Sequence, residues 1–203
     1  MARPREFNAD EVLDRASAIF QAQSVQATSM RQLEAETGVK QVSLYNAFGS
    51  KEQFFLAVLE RYAALIESRF DEVLADRGLN GIRDWVSAIT APGSPIPNAC
   101  LGCLMVNTAF AADTAGPAIH NYVVAFRARM LARFRAALED DKARGKLRRA
   151  LDLDECAEFI VCSLFGIQQV IRLMGRETAG RPAAKVLLRT LASWRMPTAS
   201  GSR

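Results

Sequence analysis

Apolar residues recur every three or four positions through most of this chain, the spacing that gathers side chains on one face of an α-helix. Val12, Leu13, Ala16, Ile19 and Phe20 predict a first helix over residues 9–23. Two short helices over 30–37 and 41–48 follow, the second carrying Val42, Tyr45 and Phe48 at helical spacing. A long helix over 51–75 bears Phe54, Phe55, Val58, Leu59, Tyr62, Leu65 and Ile66 as one stripe. Further helices are expected near 82–90, 101–112, 117–144, 153–175 and 182–194. Pro92, Pro95 and Pro97 make 91–98 a loop, because proline lacks the amide donor that a helix uses. Neither an alternating β pattern nor an internal repeat is visible. The expected fold is all-α, with about nine helices, and residues 198–203 are expected to fray.

The segment from Thr28 to Lys51 carries the densest local signals. Ser29 followed by Gln32, and Ser50 followed by Gln53, fit capping boxes that start helices. Gly38 sits where a left-handed cap ends a helix, a conformation that only glycine adopts without a Cβ penalty. Two short helices on a tight turn match a helix-turn-helix, which lays its second helix in the DNA major groove, N-terminal residues first. On that helix Lys40, Gln41, Val42, Ser43 and Asn46 are the candidates to reach base edges. Amine and amide groups match base donors and acceptors, and a valine can touch a thymine methyl. Thr28, Ser29 and Lys51 open helices, whose free N–H groups and dipole favour phosphate; the Tyr45 hydroxyl joins them as a phosphate contact. The spacing alone fits an ordinary αα-hairpin equally well.

A resemblance separates these alternatives. The runs VLDRASAIF, ATSMRQLEAETGV and LYNAFGSKEQFFLAVL within residues 12–59 resemble the N-terminal domain of the TetR family of bacterial repressors. Gly38-Val39, Leu44-Tyr45, Phe48 and Ser50-Lys51 carry the match in order and spacing. The opening ARPREF resembles the basic arm that precedes the first helix in many members, which adds Arg3 and Arg5 as DNA contacts. Glu34, Lys40 and Ala47 depart from the family's usual small residue, serine cap and aromatic. The resemblance implies a DNA-binding domain over 1–52 and an effector-binding and dimerisation domain over 53–197. It also implies a homodimer on double-stranded operator DNA and a ligand cavity among the C-terminal helices.

The helix expected over 153–175 has two apolar faces. Ala157, Ile160, Val161, Leu164, Gln168 and Ile171 form one; Phe159, Ser163, Gly166, Ile167, Val170 and Met174 form the other. A helix that is apolar on two sides must be covered on two sides. The chain's own core supplies one cover. The small Ser163 and Gly166 would admit a second helix closely, so the last two helices are expected to pair with their counterparts in a second copy. The competing arrangement makes this helix the buried centre of a monomer.

Composition narrows the function classes. Hydrophobic residues make up 50% of 203 positions, enough for a proper core. No uninterrupted apolar run approaches the roughly 20 residues of a membrane span, and the polar N-terminus is not a secretory signal. Four cysteines without regular dense spacing point to a reducing cytoplasm. The net charge is +4, yet residues 1–55 hold six Lys/Arg against seven Asp/Glu. The basic stretch around Arg127, Arg129, Arg133 and Arg135 is read as a solvated helix face rather than a nucleic-acid patch. His120 is the sole histidine, which removes most Ser-His and multi-His designs.

Cys100 and Cys103 form C-x-x-C at the expected start of a helix, where a thiol pKa falls and reactivity rises. They are candidates for thiol sensing, or for two small packing residues; two cysteines are too few for a closed zinc site. No cofactor and no metal are expected. Trp85, Met105, Phe110, Tyr122, Phe126, Met130 and Phe165, with Asn107 and His120 as polar anchors, are the candidate walls of an effector cavity. The expected function is a sequence-specific transcriptional regulator, not an enzyme, released from a palindromic operator by a lipophilic or aromatic ligand or by thiol modification. The rival readings are a thiol oxidoreductase using Cys100 and Cys103, and a helical dimerisation module that binds no DNA.

Overall fold

The computed structural model describes residues 7–111 and 116–196. Among them the chain forms α1 (Ala9–Ala22), α2 (Met30–Thr37), α3 (Gln41–Phe48), α4 (Lys51–Leu74), α5 (Leu79–Ala88), α6 (Leu104–Ala109), α7 (Pro117–Ala143), α8 (Leu153–Met174) and α9 (Arg181–Ser193). Short 3-10 turns at Ala99–Leu101 and Glu177–Gly180 precede α6 and α9. The described residues hold no strand, only an isolated antiparallel bridge between Leu147 and Arg195. Arg3, Arg5 and the 198–203 tail lie outside the described residues.

Local capping sets most of these boundaries. The Ser29 hydroxyl accepts from Gln32 N–H at 3.1 Å, and Gly38 ends α2 in the left-handed conformation at φ 75°. Ser50 and Gln53 complete a reciprocal box at the start of α4, with bonds of 3.1 and 2.8 Å. Asp152 caps α8 by accepting from Asp154 and Glu155 N–H.

Two boundaries differ from the expectation. α5 begins at Leu79, three positions early, because the carboxylate of Asp141 on α7 accepts Leu79 N–H at 2.9 Å. The other Asp141 oxygen accepts from Lys146 Nζ at 2.8 Å, so this buried acid is paired on both sides. α6 is shorter than expected because Gly102, at φ 75°, breaks the chain between the 3-10 turn and Leu104.

One helix runs the length of a single continuous core. At its start, Phe54 and Phe55 of α4 pack on Phe20 of α1 at 6.3 and 4.6 Å between ring centroids, and Phe54 lies 4.8 Å from Phe48 of α3. At its end, Phe70 meets Trp85 of α5 and Phe134 of α7 edge-on, at 5.1 and 4.8 Å. Such buried ring pairs add about 0.5–1.5 kcal/mol each beyond the area they cover. Arg61 of α4 ties the same helix to α1 through Asp10 and both oxygens of Asp14.

The basic face of α7 is not simply solvated. Arg129 and Arg133 pair with Glu67 of α4, Arg133 also with Asp71, and Arg127 and Arg135 with Glu158 and Asp154 of α8. These cations are spent on neighbouring helices. α8 is long and apolar enough, by length and composition, to cross a bilayer. In the fold Ile160, Val161, Ile167 and Ile171 are instead buried in the protein core.

Candidate nucleic-acid interface and effector cleft

The second helix of the helix-turn-helix is pinned from one side and open on the other. Leu44 is fully buried, while Val42 is 70% and Tyr45 46% exposed. Lys40 and Asn46 are exposed beside them, and Gln41 and Ser43 are half-buried. The expected base-reaching set is thus open to solvent at Lys40, Val42 and Asn46 and partly covered at Gln41 and Ser43. Lys40 holds the cap position without a side-chain bond of its own. The cap comes from α2 instead: Glu34 Oε2 accepts Gln41 N–H at 3.3 Å. The two departures noted in the sequence, Glu34 and Lys40, thus work together, the acid supplying the acceptor that the lysine cannot.

Three residues assigned to phosphate sit differently from one another. Ser29 is exposed at the start of α2. Lys51 Nζ donates to the Thr28 carbonyl at 3.0 Å, bracing the start of α4 against the start of α2. Thr28 is corrected: it is 1% exposed and its hydroxyl donates to Ser24 O at 3.0 Å, so its side chain points into the protein.

In the C-terminal region Trp85, Cys103, Phe126, Met130 and Phe165 line one narrow apolar cleft of about 50 Å³, partly open to solvent. Ile66, Ile89, Ile96, Val106, Phe134, Val161, Leu164 and Gln168 complete its walls. Sequence reasoning missed these eight: six are aliphatic and read as plain core, and nothing local marks Phe134 or Gln168 as a wall. Phe70, which packs on Trp85 and Phe134, connects two of the walls to α4.

The other expected cavity residues lie elsewhere. Phe110 is 68% exposed, and His120 is exposed on the first turn of α7. Met105 is fully buried without lining the cleft. Tyr122 is half-buried under Arg129, whose guanidinium stands 5.6 Å from the ring centroid. Asn107 is used structurally, donating to Leu101 O at 2.9 Å and accepting from Gln169 Nε2 at 3.3 Å. Cys100 is half-buried in the 3-10 turn and is not a cleft wall.

At Cys103 burial works against the reactivity expected of a thiol at a helix start. Cys103 caps α6, and the Val106 and Met105 amides together with the Tyr62 hydroxyl favour its thiolate. Burial outweighs them and pushes the thiol up from its usual value. A fully buried, neutral thiol is a poor nucleophile at physiological pH.

A polar junction, also missed, joins the two halves. Gln21 of α1 is fully buried. Its Nε2 donates to Pro97 O and Gly102 O at 2.8 Å each, and its Oε1 accepts from Asn98 at 3.1 Å. Its backbone carbonyl accepts from Arg172 of α8 at 2.9 Å. Gly102 has to lack a side chain here: a Cβ would lie 3.0 Å from Gln168 O and 3.1 Å from the Arg172 side chain.

The second face of α8 remains uncovered within the chain. Phe159, Gly166, Val170 and Met174 are exposed, Ser163 is half-buried, and Leu173, unremarked in the sequence, is 82% exposed. Phe159, Ser163, Gly166, Val170 and Leu173 follow an alternating four–three spacing, the seam of paired helices. Ile167 is corrected: it is buried against Gly180 of its own chain.

Comparisons with known proteins agree with this geometry. Residues 12–58 match the model for bacterial regulatory proteins of the tetR family, and residues 78–187 match the tetracyclin repressor-like C-terminal domain. The chain is a member of the TetR family, a DNA-binding transcriptional regulator with an N-terminal helix-turn-helix and a helical C-terminal domain. Among curated relatives, the HTH-type transcriptional repressor ComR of Escherichia coli (strain K12) is 28% identical over 172 residues, covering 81% of this chain and 80% of that protein. A cysteine mutant of the TetR family regulator CifR, solved on a 26-base-pair operator, is 28% identical with a TM-score of 0.76, covering 95% of this chain and 100% of that one. A TetR family regulator from Cytophaga hutchinsonii shares the fold at a TM-score of 0.85 and 15% identity, over 98% of this chain and all of that one.

Proposed function

We propose that this protein is a homodimeric repressor that holds a palindromic operator through α3 of each copy. A small apolar molecule entering the cleft releases it. The observation that carries the first half is the outer rim of α3: exposed polar groups on a helix whose opposite side is locked by Leu44. Lys40, Gln41, Val42, Ser43 and Asn46 read bases; Ser29, Tyr45 and Lys51 position the backbone, with Arg3 and Arg5 ahead of α1. Thr28 drops out of that set. ComR bears the name repressor and CifR was solved on operator DNA, which favours this reading.

The DNA-binding unit is taken as residues 1–52 and the effector and dimerisation unit as 53–197. The boundary falls inside the first turn of α4, so that helix serves as the lever between them. The second copy covers α8 through Phe159, Ser163, Gly166, Val170, Leu173 and Met174. Such a dimer presents two reading helices about one DNA turn apart. The effector acts by binding one dimer geometry better than the other. The apolar cleft favours ligand entry as the route of release, and modification of Cys100 or Cys103 is the second route. The protein works in the cytoplasm, as a regulator and not as an enzyme.

The test is fluorescence anisotropy with a labelled fragment from upstream of the gene, in the presence of excess random DNA. Binding that survives the competitor supports the reading. Binding lost to it, followed by a random-sequence selection that enriches no palindrome, would overturn it.

A further inference from the structure

The cleft has almost no polar surface. Its walls come from α4, α5, the proline loop, α6, α7 and α8, and their polar groups are the Trp85 indole N–H, the Cys103 thiol and the Gln168 amide. Cys103 is a neutral thiol, a weak hydrogen-bonding partner. Gln168 is different. It is only 4% exposed, and its side-chain carbonyl oxygen is buried without a hydrogen-bond partner. An amide oxygen stripped of water and left unpaired is costly, so native structures nearly always satisfy such atoms. Val161, Leu164, Phe165 and Gln168 follow one another at helical spacing along the face of α8 that lines the cleft. Gln168 is therefore the one amide side chain in a wall that is otherwise almost wholly apolar.

We propose that the side-chain carbonyl of Gln168 is the polar anchor of the cleft, and that the effector is a small neutral aromatic molecule with a single O–H donor, the chemistry of a monohydric phenol. This rests on the reading above that the cleft takes an effector. A carbonyl acceptor selects a donor. The absence of any charged group among the lining residues selects against carboxylates and ammonium ions, which would be desolvated without a counter-charge. Trp85, Phe126, Phe134 and Phe165 offer ring faces and edges to an aromatic body.

The position of the anchor also gives it leverage. Gln169, the next residue, holds Asn107 at 3.3 Å, and Arg172, one turn on, holds the Gln21 carbonyl of α1 at 2.9 Å. A ligand bound to Gln168 pulls on the same turn of α8 that fastens the DNA-binding half.

Trp85 lines the cleft and Trp194 does not, so a Trp194→Phe protein reports ligand entry through Trp85 fluorescence alone. The probes are para-ethylphenol, its methyl ether and ethylbenzene. The phenol should bind about tenfold tighter than the ether, the ratio expected when one partner of a buried hydrogen bond is missing. Gln168→Leu should weaken the phenol alone and bring the two within about twofold. If Gln168→Leu does not fold, Gln168→Met and the phenol-to-ether ratio in the parent carry the test. Equal affinities in the parent, or a preference that survives the substitution, would overturn the proposal while leaving the cleft as an effector site. If none of the three probes binds, this inference falls, and the effector reading is decided separately by whether any apolar molecule releases the operator fragment.

Discussion

The guanidinium of Arg172 on α8 donates to the backbone carbonyl of Gln21 on α1 at 2.9 Å, across 151 positions of sequence. The bond closes a ring of contacts in which the Gln21 side chain also holds Pro97, Asn98 and Gly102. The end of α1 is thereby fixed to the proline loop, to the segment before α6 and to α8 at once. A change at α8 reaches the DNA-binding half through this junction as well as through α4.

Replacing Gln21 with leucine keeps the volume and removes every side-chain bond in that ring. The Pro97 and Gly102 carbonyls would lose their donor, at about 1–3 kcal/mol each before relaxation, whereas the exposed Asn98 amide can turn to water. We expect an overall loss of about 2–4 kcal/mol in urea unfolding, and a smaller release of DNA by effector at saturating ligand. An unchanged unfolding midpoint would show that the junction holds nothing.

Base reading and phosphate positioning separate experimentally. Gln41→Ala and Asn46→Ala should change which sequences are preferred, each costing about 1–3 kcal/mol on the best site. Tyr45→Phe should weaken all sequences alike and leave the slope of log affinity against log salt unchanged, because a neutral hydroxyl displaces no counterion. Anisotropy titrations across a salt series measure both. Normal binding by Tyr45→Phe at every salt concentration would mean that α3 docks differently.

Alkali should destabilise this protein through two buried acids. Burial raises Cys103 from its usual 9.0 and, more strongly, Tyr62 from its usual 10.0. In each case the unfolded chain loses its proton first, so it binds fewer protons than the folded chain at that pH. Stability is therefore fully present below about pH 9 and falls as pH rises through the two usual values. Cys103→Ala should flatten the earlier part of the fall in melting temperature between pH 8 and 10. A parent protein whose melting temperature is level to pH 11 would contradict the burial argument.

Leu173→Glu should give monomers. The side chain is 82% exposed, so the chain's own core is untouched, but a carboxylate would be buried in the proposed seam. Sedimentation velocity should show the lighter species, and operator affinity should fall with it because one reading helix is lost. A dimer that persists with normal affinity would place the interface elsewhere.

Much of this protein is legible in its residues. The bounds of α2 and the start of α4 follow from Ser29, Gly38 and the Ser50–Gln53 box, signals that act within four positions of the helix end they set. The start of α5 does not follow, because its cap is Asp141, 62 positions away. The exposed rim of α3 was predictable from helical spacing, yet the inward turn of Thr28 and the cap from Glu34 were not. Trp85, Phe126, Met130 and Phe165 meet in one cleft as their apolar character suggested. Phe110 and His120, equally eligible by type, face solvent.

Short-range chemistry thus decided the helices, the reader and the family, because capping and periodicity are written within a few consecutive residues. The cleft, its bare Gln168 oxygen and the Gln21 junction were decided by packing. Each requires side chains from helices distant in sequence to converge, and only the folded chain sets which of them meet.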